Sequence, residues 1–204
     1  KAQIATLLTF SGDAYTNEMG ITNDIFPEEP LGGISAARLR ECDRLRDPED
    51  SVDPRTGKRS IDNFEAFMKF LAPPPRGAIT DEVRAGEQVF AAIGCASCHI
   101  PTLTTGANAS AALHRQPVSL FSDLLLHELG TGDGIEQGAA EPDEIRTPAL
   151  WGLRMRRPLL HDGSAATPQE AIKRHAGEAS GVIERYRLLT EETRRALLAF
   201  LDSL

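Results

Sequence analysis

The chain has 204 residues, enough to bury a substantial core as one domain or as a domain with a sizeable appendage. Hydrophobic residues make up 41% and charged residues 25%, and 30 acidic against 22 basic residues give a net charge of -8. That balance excludes the basic footprint of a nucleic-acid partner, and no apolar run approaches the roughly 18 residues of a membrane span.

The chain opens on Lys1 without a charged, apolar and small-residue leader, so a signal peptide is expected to be absent from it and Lys1 to lie inside a longer gene product. "FPEEPLGG" (26–33), "DPEDSVDPRTGK" (47–58) and "LAPPPRG" (71–77) are loop text, because proline lacks an amide donor and restricts the residue before it. Helical patterns lie between them at 34–46 and 60–71. Residues 1–78 are therefore expected to form a connecting segment, helical with proline-rich loops. Cys42 is the odd cysteine of three and is expected to be a small buried apolar residue.

From Thr80 the text becomes a capped helix: Thr80 as N-cap, Asp81 and Glu82 against the helix dipole, and Val83, Gly86, Val89, Phe90 and Ile93 along one face. It delivers "GCASCHIP" (94–101). Residues 101–157 are rich in glycine, threonine and proline, with one short helix expected near 119–128 and no alternation strong enough for a sheet. "TPQEAIKRHAGEA" (167–179) carries the start signals of a helix, with Thr167 as cap, Pro168 at the first position and Glu170 completing a capping box. The last element is amphipathic through Ala196, Leu197, Phe200 and Leu201. The fold class is mainly α, with 79–204 as the second domain.

Cys95, Cys98 and His99 form C-x-x-C-H, the attachment sequence of c-type haem. Two thiols three residues apart can each add to a porphyrin vinyl group, and the adjoining imidazole can then turn onto the iron. A thioredoxin-like pair would open a helix rather than close one, a zinc site would need a second ligand pair that the chain lacks, and a disulfide hairpin is the remaining alternative. For the sixth iron ligand the candidates are His114, His127, Met155, His161 and His175. Methionine is the common partner, yet Met155 sits among Arg154, Arg156 and Arg157, an awkward place for a buried thioether. These arginines and Arg146 suit haem propionates. Trp151 is expected to pack on the porphyrin or to relay electrons, His127 to be a core histidine on an apolar helix or a propionate contact, and His114 to be exposed and without a role.

Residues 79–204 resemble a cytochrome c haem domain with enlarged loops, which implies that Gly86 and Phe90 meet Leu197 to Leu201 where two helices cross. "RTPALWGLRMRRPLLHDGSAATPQEAIKRHAGEA" further resembles the C-terminal haem domain of bacterial di-haem cytochrome c peroxidases, and that resemblance puts His175 where those proteins carry an axial methionine. "NEMGITNDIFPEEP", "DLLLHELGTGDG", "RTPALWGL" and "IKRHAGEA" are similar to the di-haem oxidoreductase family often labelled thiol oxidoreductases, over essentially the whole chain.

The family resemblance implies covalent haem c on Cys95 and Cys98, axial ligation by His99 and His175, and His161 of "HDG" beside the haems, with Trp151 and Arg154 also at the cofactor. Calcium is a secondary expectation, since Arg156 stands where the peroxidases place a contributing threonine. It further implies a periplasmic protein whose other haem lies in an N-terminal domain of the same full-length chain, with a redox protein as partner. The expected function is the electron-transfer part of a peroxidase-like di-haem oxidoreductase; the alternative is a stand-alone electron carrier without catalysis.

Overall fold

In the computed structural model, which describes residues 1–28, 32–42, 44 and 48–204, the chain is mainly α, 40% helical and 8% strand. It divides into two compact units, one of Ile4–Ala72 and one of Lys1–Gln3 with Pro73–Leu204.

The smaller unit contains α1 (Leu7–Met19), α2 (Ala36–Cys42) and α3 (Ser60–Lys69). Thr6 caps α1 by accepting from the Thr9 amide, and Gly20 ends it in the left-handed conformation at φ +68°. The buried Asn23 side chain donates to Gly12 O and Thr16 Oγ1 and accepts from the amides of Ile25 and Phe26, so one amide group satisfies a whole turn. Tyr15 meets Phe64 of α3 edge-on at 5.3 Å between ring centres, and Ile61 is wholly buried. The expected helix over 34–46 extends over Ala36–Cys42; its residues 43, 45 and 46, like residues 29–31 and 47 of the expected loops, lie outside the described residues. Cys42 is exposed, contrary to expectation, because α2 buries none of its side chains.

The larger unit is organised by α4 (Asp81–Ala92) and α7 (Glu191–Leu201). Thr80 and Thr190 cap them, each accepting from the amide three residues on. The helices cross with backbone nearly touching: a Cβ on Gly86 would overlap the Ala196 carbonyl and come within 2.7 Å of Phe200 Cβ. Around that contact Phe90, Phe121 and Phe200 interlock with ring centres 5.2–6.2 Å apart, and Leu197 and Phe200 are wholly buried. Each such buried side chain contributes about 1.5–3 kcal/mol.

Between these helices lie α5 (Pro168–Lys173), α6 (Ser180–Arg187) and two small antiparallel ladders. β1 (Leu103–Thr104) pairs with β2 (Pro117–Val118), and β3 (Leu126–Glu128) with β4 (Glu144–Arg146). The short helix expected near 119–128 is absent. Phe121 and Leu124 take positive φ (+55° and +63°), Ser122 Oγ accepts from Leu124 N, and Asp123 Oδ1 accepts from Leu125 N. Side chains that bond their own backbone turn the chain and favour extended or left-handed residues over helix. The helix expected over 167–179 stops at Lys173, because Ala176 N is drawn to Leu129 O on the β3 side. Its start is as expected, except that Glu170 reaches back to Ala166 N rather than to the cap itself.

Gly86→Ala must push α4 off α7. We expect it to lower unfolding free energy by about 1–3 kcal/mol or more, measured by urea denaturation; an unchanged midpoint would show that the crossing has slack.

Candidate functional site

Helix α4 ends on Gly94, left-handed at φ +96°, and the chain winds immediately into a 3-10 turn over Cys95–Ser97. The Cys95 carbonyl accepts from both Cys98 N and His99 N, so the two thiols and the imidazole leave one turn of backbone. Arg185 Nε bonds the Ile93 carbonyl at 2.8 Å and closes the helix end. Both cysteines are free thiols. Burial pushes Cys95 up to about 11 and raises Cys98, the latter helped by the charges of Asp123 and Glu178, so both are protonated at neutral pH.

The turn is fastened to a second segment by three backbone hydrogen bonds: Phe121 N to Pro101 O, Ser122 N to Ile100 O and Asp123 N to Cys98 O. Ser122, fully buried, donates to Thr147 O and holds that segment to the end of β4. Phe121 turns its carbonyl to His99, whose Nδ1 donates to it at 3.1 Å. That bond fixes the proton on Nδ1 and leaves Nε2 with its lone pair, the form a metal ligand needs. Burial, with the charge of His175 adding to it, pushes the His99 imidazole down to about 4 despite the carbonyl bond. The ring is neutral at any physiological pH.

His175 follows α5 and donates Nδ1–H to Ala171 O at 2.8 Å. It therefore presents Nε2 in the same way. A positive charge on His175 would depress His99, so the two rings share one electrostatic neighbourhood. Met155 is 77% exposed and away from the core.

His127 is on β3, not on a helix. It bonds Asp123 through Nε2 at 2.9 Å and Glu178 through Nδ1 at 2.8 Å. Burial alone would depress it, but the hydrogen bonds to Glu178 and Asp123 and the charges of both outweigh burial and hold it above the ordinary histidine value. Donor atoms of Cys98, Asp123 and His127 all lie within 4.8 Å of one another. Asp123 and Glu178 were invisible as site residues in the sequence. The D-x-x-x-H spacing of 123 and 127 was the available signal, and Glu178 stands 51 residues from its partner.

The other expected residues are spread more widely. His161 is exposed on the turn in which Asp162 Oδ1 accepts from Ser164 N. Trp151 is half-buried. Arg154 donates to Pro75 O, Arg156 to Ala149 O, and Arg157 to Leu153 O and Asp202. Each of the three thus has a donor already engaged within the protein. His114 is exposed and bonded to the Asn108 backbone, and Arg146 lies exposed on β4.

Two thiols and an imidazole with a fixed tautomer on one turn form a donor set that a haem could use, and His175 offers a second imidazole held the same way. The sequence matches the family described as "Di-haem oxidoreductase, putative peroxidase" over residues 1–204. Among solved structures, a chain of Kuenenia stuttgartiensis hydrazine synthase, pressurised with 20 bar xenon, is similar in fold, with 19% identity and a TM-score of 0.50. The match covers 71% of this chain and 55% of that one, so this chain spans about half the length of that relative. No curated protein matches.

Two imidazoles set opposite pH limits on the haem-free chain. His99 is depressed from 6.5 to about 4, so between those values the unfolded chain binds a proton that the folded one refuses, and stability falls as pH drops. His127 is raised, so its contribution is present below 6.5 and is lost as pH rises through its folded value. Urea midpoints measured from pH 4.5 to 8.5 should peak near 6.5, and His127→Gln should flatten the alkaline limb; a midpoint that climbs steadily to pH 8.5 would contradict this.

Proposed function

Because the chain belongs to the di-haem oxidoreductase family, we propose that it is the electron-transfer haem segment of a periplasmic, peroxidase-like di-haem oxidoreductase, with haem c on Cys95 and Cys98 and iron held by His99 and His175. The observation that carries this is the matched pair of imidazoles, each with Nδ1–H held by a backbone carbonyl and Nε2 left as donor. Residues 79–204 serve as a cytochrome c-like domain, supported by the close crossing of α4 and α7 at Gly86.

Cys95 and Cys98 would hold the porphyrin, each thiol S–H adding across a vinyl double bond to give a thioether. Such an addition would need no oxidant, only two thiols not paired in a disulfide. A haem so bound supplies one-electron chemistry, at lower potential with two histidines than with a thioether ligand. His99 and His175 would together hold the iron and leave it no site for peroxide, which supports electron transfer through this site to a reaction elsewhere. Phe90, 6.2 Å from the His99 ring centre, and Phe121 shield the proximal side from water. One C-x-x-C-H in a di-haem family supports a second haem on another segment, which this reading takes to be an N-terminal domain of the full-length protein where substrate would be reduced. No helix among the described residues is long and apolar enough to cross a membrane.

Produced with haem-maturation machinery, the protein should give a c-type pyridine haemochrome, and Cys95→Ser with Cys98→Ser should abolish covalent haem. His175→Ala should convert a low-spin ferric spectrum to high-spin, whereas Met155→Ala should leave it unchanged. A spectrum that responds to Met155 and ignores His175 would reassign the sixth ligand.

A further inference from the structure

The two proposed axial ligands sit on separate stretches of chain, and one side chain joins those stretches. Asp123 belongs to the segment that supplies the Phe121 carbonyl to His99 and pairs its own amide with the Cys98 carbonyl. Glu178 belongs to the turn just after His175 and accepts from Glu128 N through Oε1 while meeting the His127 ring through Oε2. His127 lies between the two carboxylates. The Asp123 and His127 side chains keep 6% and 14% exposure, so their bond is formed largely out of water. The backbone around it is packed to match: Ala176 N bonds Leu129 O at 2.9 Å, and a Cβ on Gly177 would overlap the Glu128 carbonyl.

We propose that His127 is a positioning residue: with Asp123 and Glu178 it clasps the His175 segment to the segment that orients His99, and so sets how firmly His175 holds the iron. The proposal rests on the bis-histidine assignment above. It goes beyond it by giving a role to a residue that touches neither ligand. The chemistry is that of an outer partner which orients a ligand through the backbone carrying it; loss of such a partner typically weakens metal binding about 10- to 100-fold.

The test uses the full chain with haem attached. His127→Ala and Glu178→Ala should each raise the high-spin to low-spin ratio of the ferric protein about 10- to 100-fold and raise its reduction midpoint, because a histidine held less firmly stabilises ferric iron less. The double variant should do no more than the stronger single, since the three groups act as one unit. Covalent haem yield should stay at the parent level, because the attachment turn is not altered. Glu178 is on the surface, so its variant reports even if His127→Ala folds poorly. Parent-like spin ratios in both single variants overturn the clasp, as do effects that multiply in the double. A parent protein that is itself high-spin overturns the bis-histidine reading, and the clasp with it, whereas a low-spin parent with indifferent variants overturns the clasp alone.

Discussion

The absence of a side chain at Gly86 is the condition on which the larger unit depends. It lets α4 come so close to α7 that the Ala196 carbonyl occupies the space a Cβ would need, and that approach brings Phe90 against Phe200 and Phe121. Phe121 is thereby fixed from its ring, and its carbonyl is fixed in turn on His99. Apolar packing at one end of a residue thus becomes tautomer control at the other. The turn bearing the thiols leaves α4 only two residues beyond Phe90's own helical turn, so the same contact sets the position of the whole attachment motif.

The site handles charge in two layers. At the attachment turn the groups are neutral: two protonated thiols and the His99 imidazole, whose Nδ1–H is spent on the Phe121 carbonyl. One step further out, a histidine raised above its ordinary value is held between two carboxylates lowered below theirs. Asp123 is lowered although burial acts to raise it, because the Leu125 amide, His127 and Thr147 outweigh burial. Such an arrangement braces the low-dielectric surroundings of the thiols and His99 with ionic contacts rather than with further apolar packing.

Much of this was legible in the sequence because it is local. Thr80 and Thr167 announce helix starts by side-chain chemistry confined to a few residues, and C-x-x-C-H declares its turn by spacing. The pairing of Gly86 with the last helix was legible through resemblance. What escaped was set by distant partners. The segment 119–128 carries an apolar run that suggests helix, yet Ser122 is committed to Thr147 and Asp123 to Cys98 and His127. Helix α1 went unseen because its sequence lacks a clear apolar stripe, and its stability comes from Asn23 and Phe64 beyond its end. The short β ladders, two and three residues long, are too brief to leave an alternating pattern.

The turn at Cys95–Ser97 closes on itself, with Cys95 O accepting both following amides. The partners that orient its imidazole and brace its surroundings are farther along the chain: the carbonyl for His99 is 22 residues away and the His127–Glu178 contact spans 51. Loops of that length close later and more slowly than one turn of backbone. The order of assembly is therefore written into the topology. The turn that bears the two thiols closes on its own hydrogen bonds, whereas the orientation of His99 and the place of the turn against the core wait for contacts far along the chain.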